Sequence, residues 1–395
     1  MPLMVPWTRS PASSPHGREH LPSSAARTTN GSRTLRTKAR LILVGLFLIS
    51  VLFGTTLHLR SSSEVDLEVA WEIPYGRPVA ISDEKILVTS ADRDVTRAAS
   101  VIDASTGTAS TLPAPLPDHA SLAGPGTAWI EGQTLVFIQK DGKRISLDVP
   151  PDSFFLTAFE KTGVTWLVVT HPKLPGEESW SGAWSLTCYS TQGPRWTLSF
   201  PGIPVLAKAG TPGLLVGVTD PAAGPTSCVY LLSPSTGQVL WRRDLGLGFF
   251  RETDFLSSGD VLVSWSWGVL VLSFRGEVLC EYDSKESVVS AAADASGIYV
   301  IEGRPEANGG AYLNAVSRDG RIIWQRRVRL PAAVKVKDQT VLCLETQKVR
   351  AFSGHSGEEI WYYGTGKGTT WLLDSGILRW DGQNLKLLKY RPGPD

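Results

Sequence analysis

Cysteine, methionine and charge are all scarce in this chain of 395 residues. The four cysteines, Cys188, Cys228, Cys280 and Cys343, lie far apart and form no CxxC pair. Thiolate metal sites draw on clustered ligands, so this spacing excludes a zinc knuckle or ribbon. The four also occupy different positions within the repeat described below, which excludes a regular disulfide ladder. They read as small buried strand residues, with a single bridge such as Cys188–Cys228 as the alternative. The only methionines are Met1 and Met4, and charged residues make up 19% of the chain. From Glu64 on, no segment of ten or more residues has a helical period, which excludes a helical bundle there. A large basic field is missing as well, so no nucleic-acid partner is expected.

The formal charge of +1 conceals an asymmetry. Residues 1–40 hold seven Lys or Arg against Glu19 alone, a balance of +6 that leaves −5 for the remainder. This stretch is rich in Ser, Pro, Arg and Thr and reads as a disordered tail. Leu41 to Leu59 follows, nineteen residues without Lys, Arg, Asp or Glu. At about 1.5 Å per residue the run just spans a bilayer core of roughly 30 Å. With basic residues on its N-terminal side, it is expected to act as a single-pass signal anchor. That keeps the tail in the cytoplasm and exports everything after it. A cleaved signal peptide, and hence a secreted protein, is the competing reading, but Leu57-His58-Leu59 is a poor cleavage exit. Residues 60–64 read as a linker, 65–390 as the folded domain and 391–395 as a tail.

The exported part is organised around Val229-Tyr-Leu-Leu-Ser-Pro-Ser-Thr-Gly-Gln-Val-Leu-Trp241, a strand, a glycine turn and a second strand ending on tryptophan. Close copies are Leu313-Asn-Ala-Val-Ser-Arg-Asp-Gly-Arg-Ile-Ile-Trp324 and Val349-Arg-Ala-Phe-Ser-Gly-His-Ser-Gly-Glu-Glu-Ile-Trp361. Each sets Trp four places after Gly. Weaker copies put Thr111 after Gly107 and Cys280 after Gly276 in that place, and Gln192-Gly193 is followed by Trp196, one residue early. With Gly142, Gly237, Gly320 and Gly357 the turn glycines recur every 35 to 51 residues. Between them lie short runs rich in β-branched and aromatic residues, such as Lys85-Ile-Leu-Val-Thr89 and Val269-Leu-Val-Leu-Ser273.

A period near 40 with four strands per unit is a propeller blade. The last unit supplies three strands, Thr370–Leu373, Gly376–Trp380 and Asn384–Tyr390, and then the chain ends. Glu68-Val-Ala-Trp71-Glu-Ile has the character of the missing fourth strand, so pairing the two termini closes the ring and removes an open edge. The expected fold is therefore all-β, an eight-bladed propeller of four-stranded antiparallel blades preceded by one transmembrane helix. Seven blades is the alternative, because the second unit is short.

The Asp-Ala-Ser-Thr-Gly107 and Ser-Thr-Gly-Gln-Val-Leu-Trp241 units resemble the tryptophan-docking repeats of the PQQ-like β-propeller superfamily. That superfamily includes the quinoprotein dehydrogenases and the BamB-type proteins of outer-membrane assembly. The resemblance covers about residues 65–390. It implies an eight-bladed ring in which Trp71, Trp196, Trp241, Trp324 and Trp361 pack between blades. It says little about activity, because a fold does not fix a function. The dehydrogenase branch carries a vicinal disulfide beneath its cofactor, and no Cys-Cys occurs here. The chain also lacks a lipobox cysteine after its apolar segment, so it departs from a lipoprotein.

Candidate chemistry is sparse. Gly364-Thr-Gly-Lys-Gly-Thr-Thr370 misses the phosphate-loop pattern, because Gly368 follows Lys367, and reads as an interblade connection. Phe352-Ser-Gly-His-Ser-Gly357 lacks a nucleophile elbow and reads as a turn. His119 and His171 have no evident ligand partners. The Trp265-Ser-Trp267 pair sits at a tight turn, where one ring can face a partner. The connection between second and third strands is long in blades one (Ala91–Arg97), three (His171–Trp180), four (Asp220–Thr226) and six (Glu302–Gly309). These loops share one face, and recognition concentrates on long loops of rigid scaffolds. The candidate partner-binding residues are Arg93, Arg97, Glu177, Glu178, Trp180, Arg304 and Glu306. The expected function is a non-catalytic scaffold or recognition module for a protein or envelope ligand, with no cofactor. A dehydrogenase using PQQ and Ca²⁺, and the sensor ectodomain of a signalling system, are the alternatives.

Overall fold

In a computed structural model the described residues run from 63 to 390. The stretches 75, 83, 91–98, 113–115, 118–119, 124–125, 140, 161–163, 171–182, 222–223 and 304–309 lie outside them. The expected helix at Leu41–Leu59 falls among the residues not described. Among the described residues no helix is long and apolar enough to cross a membrane.

The described strands form eight sheets, each built on four antiparallel strands and one of them extended by a fifth, so the alternative of seven blades is set aside. Blades one to seven take residues 76–112, 121–148, 153–200, 203–247, 250–283, 288–328 and 333–364. Blade eight joins Thr369–Leu372, Ile377–Trp380 and Asn384–Leu388 to Val69–Pro74. Trp71 pairs with Leu387 and Ile73 with Leu385, closing the ring with the fourth strand expected for it. The first strands of successive blades lie against one another and so line the axis.

The linker assignment needs one correction. Ser63 and Glu64 form a short strand that pairs in parallel with Trp361 and Tyr362 on the outer edge of blade seven. A run of two polar residues carries no strand pattern; it is the exposed edge of the neighbouring sheet that extends it.

Period-two patterning explains where each strand sits. Second and third strands are apolar on both sides: Val261–Trp265 and Gly268–Leu272 are buried throughout. Outer strands such as Arg144–Asp148 alternate between exposed and half-buried. The core is accordingly not one mass but eight clusters among the described residues, each shared by two adjacent blades. Cys188 and Cys228 fall in one such cluster, between blades three and four, and both are free thiols, as are Cys280 and Cys343. This excludes the Cys188–Cys228 bridge.

Candidate functional site

The repeat tryptophans are the rivets between blades. Each stands on the outer strand of one blade, and its indole N–H reaches the first turn residue of the next. Trp71 Nε1 donates to Ala104 O at 3.1 Å, Trp196 to Pro234 O at 3.0 Å, Trp241 to Phe274 O at 3.0 Å and Trp324 to Gly354 O at 2.9 Å. The turn glycine of the receiving blade covers the ring. Gly357 has φ +66°, and a Cβ there would stand 2.5 Å from Trp324 Cδ2. Gly107, Gly237 and Gly276 meet Trp71, Trp196 and Trp241 in the same way. Cys280 holds the tryptophan position of blade five, and its thiol donates to Ser317 O at 3.5 Å, next to the turn of Gly320. Trp361 is buried between blades seven and eight.

Trp196 comes one residue early because its glycine stands in the second strand itself, with only two residues between the closing pair instead of four. Ser190 pairs directly with Gly193, whereas Ser233 and Gly237 are joined by a five-residue turn. Both hairpins carry a β-bulge just before the tryptophan, so Cys188 faces Trp196 as Leu231 faces Trp241.

The seven candidate partner-binding residues, Arg93, Arg97, Glu177, Glu178, Trp180, Arg304 and Glu306, all lie outside the described residues. Glu302, read as the start of the long loop in blade six, is instead buried at the end of a strand. It accepts hydrogen bonds from Tyr282 Oη at 3.1 Å, Asn314 Nδ2 at 2.7 Å and the Ser284 hydroxyl. Burial pushes the Tyr282 phenol up to about 12. This network ties blade five to the root of the blade-six loop; its groups bond one another and leave no reactive one facing solvent.

The described part of that same face carries an apolar cluster. Leu247, Phe249 and Trp267 are 67%, 52% and 48% exposed, while Trp265 is buried. The alternation across Trp265-Ser-Trp267 turns one ring in and the other out. Leu247 and Phe249 belong to the connection between blades four and five, and the sequence reading missed them. Their signal was the flanking pair Gly246 and Gly248, both at positive φ, which breaks the strand period and lifts the chain onto the face.

The backbone beneath the cluster is pinned. Gly248 N–H donates to Pro225 O at 2.5 Å, and Gly248 O accepts from Ser227 Oγ at 2.7 Å. Phe249 N–H donates to Ser266 Oγ at 2.9 Å, while Ser266 and Ser284 N–H donate to Phe249 O and Trp267 O, each at 2.9 Å. Three exposed apolar side chains on a locked backbone lose little further entropy on docking, the property of interface anchors.

Elsewhere several charges are paired. On the innermost strands Lys208 Nζ lies 2.5 Å from Asp254 Oδ1. Glu252 accepts from Ala291 N–H at 3.0 Å and Ser290 Oγ at 3.4 Å, and burial raises its carboxyl above the usual range. A cleft of about 360 Å³ opens on the opposite face between the Lys337–Thr340 hairpin, Ser375 and Tyr390. Its lysines are engaged, Lys337 with Asp374 O and Lys389 with Glu68. Among the described residues no group of three or more His, Cys, Asp or Glu could hold a metal ion.

Comparison with known proteins bears on this ring. The family described as outer membrane protein assembly factor BamB matches residues 225–388. BamB from Moraxella catarrhalis is similar in structure, with a TM-score of 0.53 at 13% identity over 82% of this chain and 100% of that one. The ring is a β-propeller, and its second half matches that family. Other propellers share the shape. Sqt1 from Saccharomyces cerevisiae gives a TM-score of 0.52 at 9% identity, over 84% of this chain and 100% of that one. Quinohemoprotein alcohol dehydrogenase from Comamonas testosteroni gives 0.51 at 10%, over 84% and 78%. At such identities the likeness is one of fold. No curated protein matches the sequence.

Proposed function

We propose that this PQQ-like propeller is a non-catalytic recognition module that docks a protein partner on the face carrying Leu247, Phe249 and Trp267. The supporting observation is that trio, exposed together on a backbone held by hydrogen bonds from blades four and five and the connection that follows. The match to a family described as an assembly factor supports the same class of role. The proposal includes single-pass anchoring through Leu41–Leu59, with residues 1–40 cytoplasmic and the propeller outside.

The test places a photo-reactive phenylalanine at Phe249, or at Ser257 on the opposite face, in the full chain in its native membrane. Crosslinked product is expected from position 249 and not from 257. The L247S/W267S pair is expected to reduce it about tenfold without lowering Tm, as loss of anchor contacts of about 1.4 kcal/mol or more would. Equal crosslinking from both faces, or indifference to the double substitution, removes the proposal.

A further inference from the structure

Blade seven already shows what the outer edge of a blade accepts. Ser63 and Glu64 pair in parallel with Trp361 and Tyr362, and Val65 N–H donates to Tyr362 O at 3.0 Å. Val65 is then buried with Trp361, Leu342 and Val349, and Ile360 packs against that cluster. In blades four, five and six the corresponding edge is bare. There the residues equivalent to Glu359 and Ile360 are Val239-Leu240, Val278-Leu279 and Ile322-Ile323, all between 38 and 56% exposed. Where a fifth strand lies alongside, Glu359 and Ile360 are half-buried. Where none does, the equivalent positions are open apolar surface.

Among the three, blade four is the edge left free. Counting from the tryptophan position, the equivalent of Tyr362 is Gln325 in blade six, whose carbonyl already accepts from Arg326 Nη1 at 3.0 Å. In blade five it is Glu281, whose carbonyl is covered by Gly320, where a Cβ would stand 2.5 Å away. In blade four it is Arg242, on the longest outer strand, Val239–Leu247. That strand begins on the exposed pair Val239-Leu240 and ends on Leu247 in the apolar cluster of the recognition face. Its middle carries Arg242 and Arg243, both exposed; Arg242 pairs with Asp244 at 2.6 Å, and Arg243 has no ion partner among the described residues.

We infer that the outer strand of blade four takes an extended acidic–apolar segment of the partner as a fifth, parallel strand. Main-chain bonds of such an added strand give affinity, and its side chains give specificity. Charge decides the occupant: a second copy paired edge to edge would oppose arginine to arginine, whereas an acidic strand complements them. The pattern is that of the chain's own Ser63-Glu64-Val65-Asp66-Leu67, two carboxylates interleaved with two aliphatic residues. The inference rests on the reading of the ring as a protein-recognition module and names how the partner lies on it.

The experiment uses the full chain in detergent and a fluorescein-labelled synthetic peptide of residues 62–68, read by anisotropy. Saturable binding is expected, weakened at least tenfold by Arg242→Pro, which removes the outward N–H, and by a peptide with both acidic positions changed to Lys. Arg243→Glu, which keeps the backbone intact, is expected to weaken it at least threefold, and Ser257→Ala, on the opposite face, to leave it unchanged. Absence of saturable binding, or binding by Arg242→Pro and Arg243→Glu as tight as by the parent chain, overturns the inference. Crosslinking from Phe249 that survives Arg242→Pro also overturns strand pairing as the docking mode, while leaving the recognition face standing.

Discussion

Gly357 lies over the indole of Trp324 so closely that a Cβ on the glycine would stand 2.5 Å from Cδ2. The turn of blade seven and the outer strand of blade six are therefore one packing unit, and neither residue can change without the other. Gly357→Ala forces an L side chain to φ +66° and drives it into the ring, so a loss of about 2–4 kcal/mol is expected. Trp324→Ala alone costs about 3–5 kcal/mol. In the double variant the clash has no target, so the two losses add to less than their sum. Chemical denaturation of all three variants checks this, and strict additivity refutes the coupling.

The four thiols make a second case. All are buried and free, and burial pushes Cys188 and Cys343 up to about 12. At pH 8 the native chain is expected to react with a thiol reagent only after unfolding, when four equivalents appear. Rapid reaction of any one in the native state contradicts that burial.

This silent background allows topology to be measured. A single cysteine placed at Ser10 is expected to resist a membrane-impermeant maleimide on intact cells, while one at exposed Arg77 is labelled. The reverse pattern removes the proposed orientation.

Glu252 gives a pH dependence of known sign. Burial raises its folded carboxyl above the unfolded value, so the folded state gains from the protonated form. That stability is present below the unfolded pKa and is lost as pH rises through the folded one. Glu252→Gln keeps an acceptor for Ala291 N–H and removes the titration. Relative to the parent, the variant's Tm is expected to rise between pH 4 and pH 7.5. A relative fall means that the donors Ala291 and Ser290 outweigh desolvation.

A titration with PQQ and Ca²⁺ separates the recognition module from a dehydrogenase. No saturable binding is expected at micromolar concentrations. Tight binding with dye-linked alcohol or sugar oxidation overturns the non-catalytic reading.

Most of the ring was legible because repetition multiplies a weak local signal. A single Gly-x-x-x-Trp means little, but three with two degenerate copies fix both the blade and its seam, down to Cys280 taking a tryptophan's place. The closing strand at Trp71 could be read for the same reason. Ser63 and Glu64 could not, since their pairing comes from a partner edge about 300 residues away in sequence. Leu247 and Phe249 escaped because apolar residues in strand-rich sequence read as core. Only the glycines at 246 and 248 turn them outward. Glu302 escaped for the opposite reason: a charged residue before Gly and Pro reads as loop until Tyr282, Ser284 and Asn314 are seen to satisfy it.

The order in which the N-terminal chain meets the ring sets a path for mechanical load. Ser63 and Glu64 are held on blade seven before Val69–Pro74 enters blade eight, and Glu68 is held between them by Lys389. Tension on the chain ahead of Ser63 is thus borne first by a blade that does not depend on the closing strand. The clasp that keeps the ring shut stands behind that strain relief.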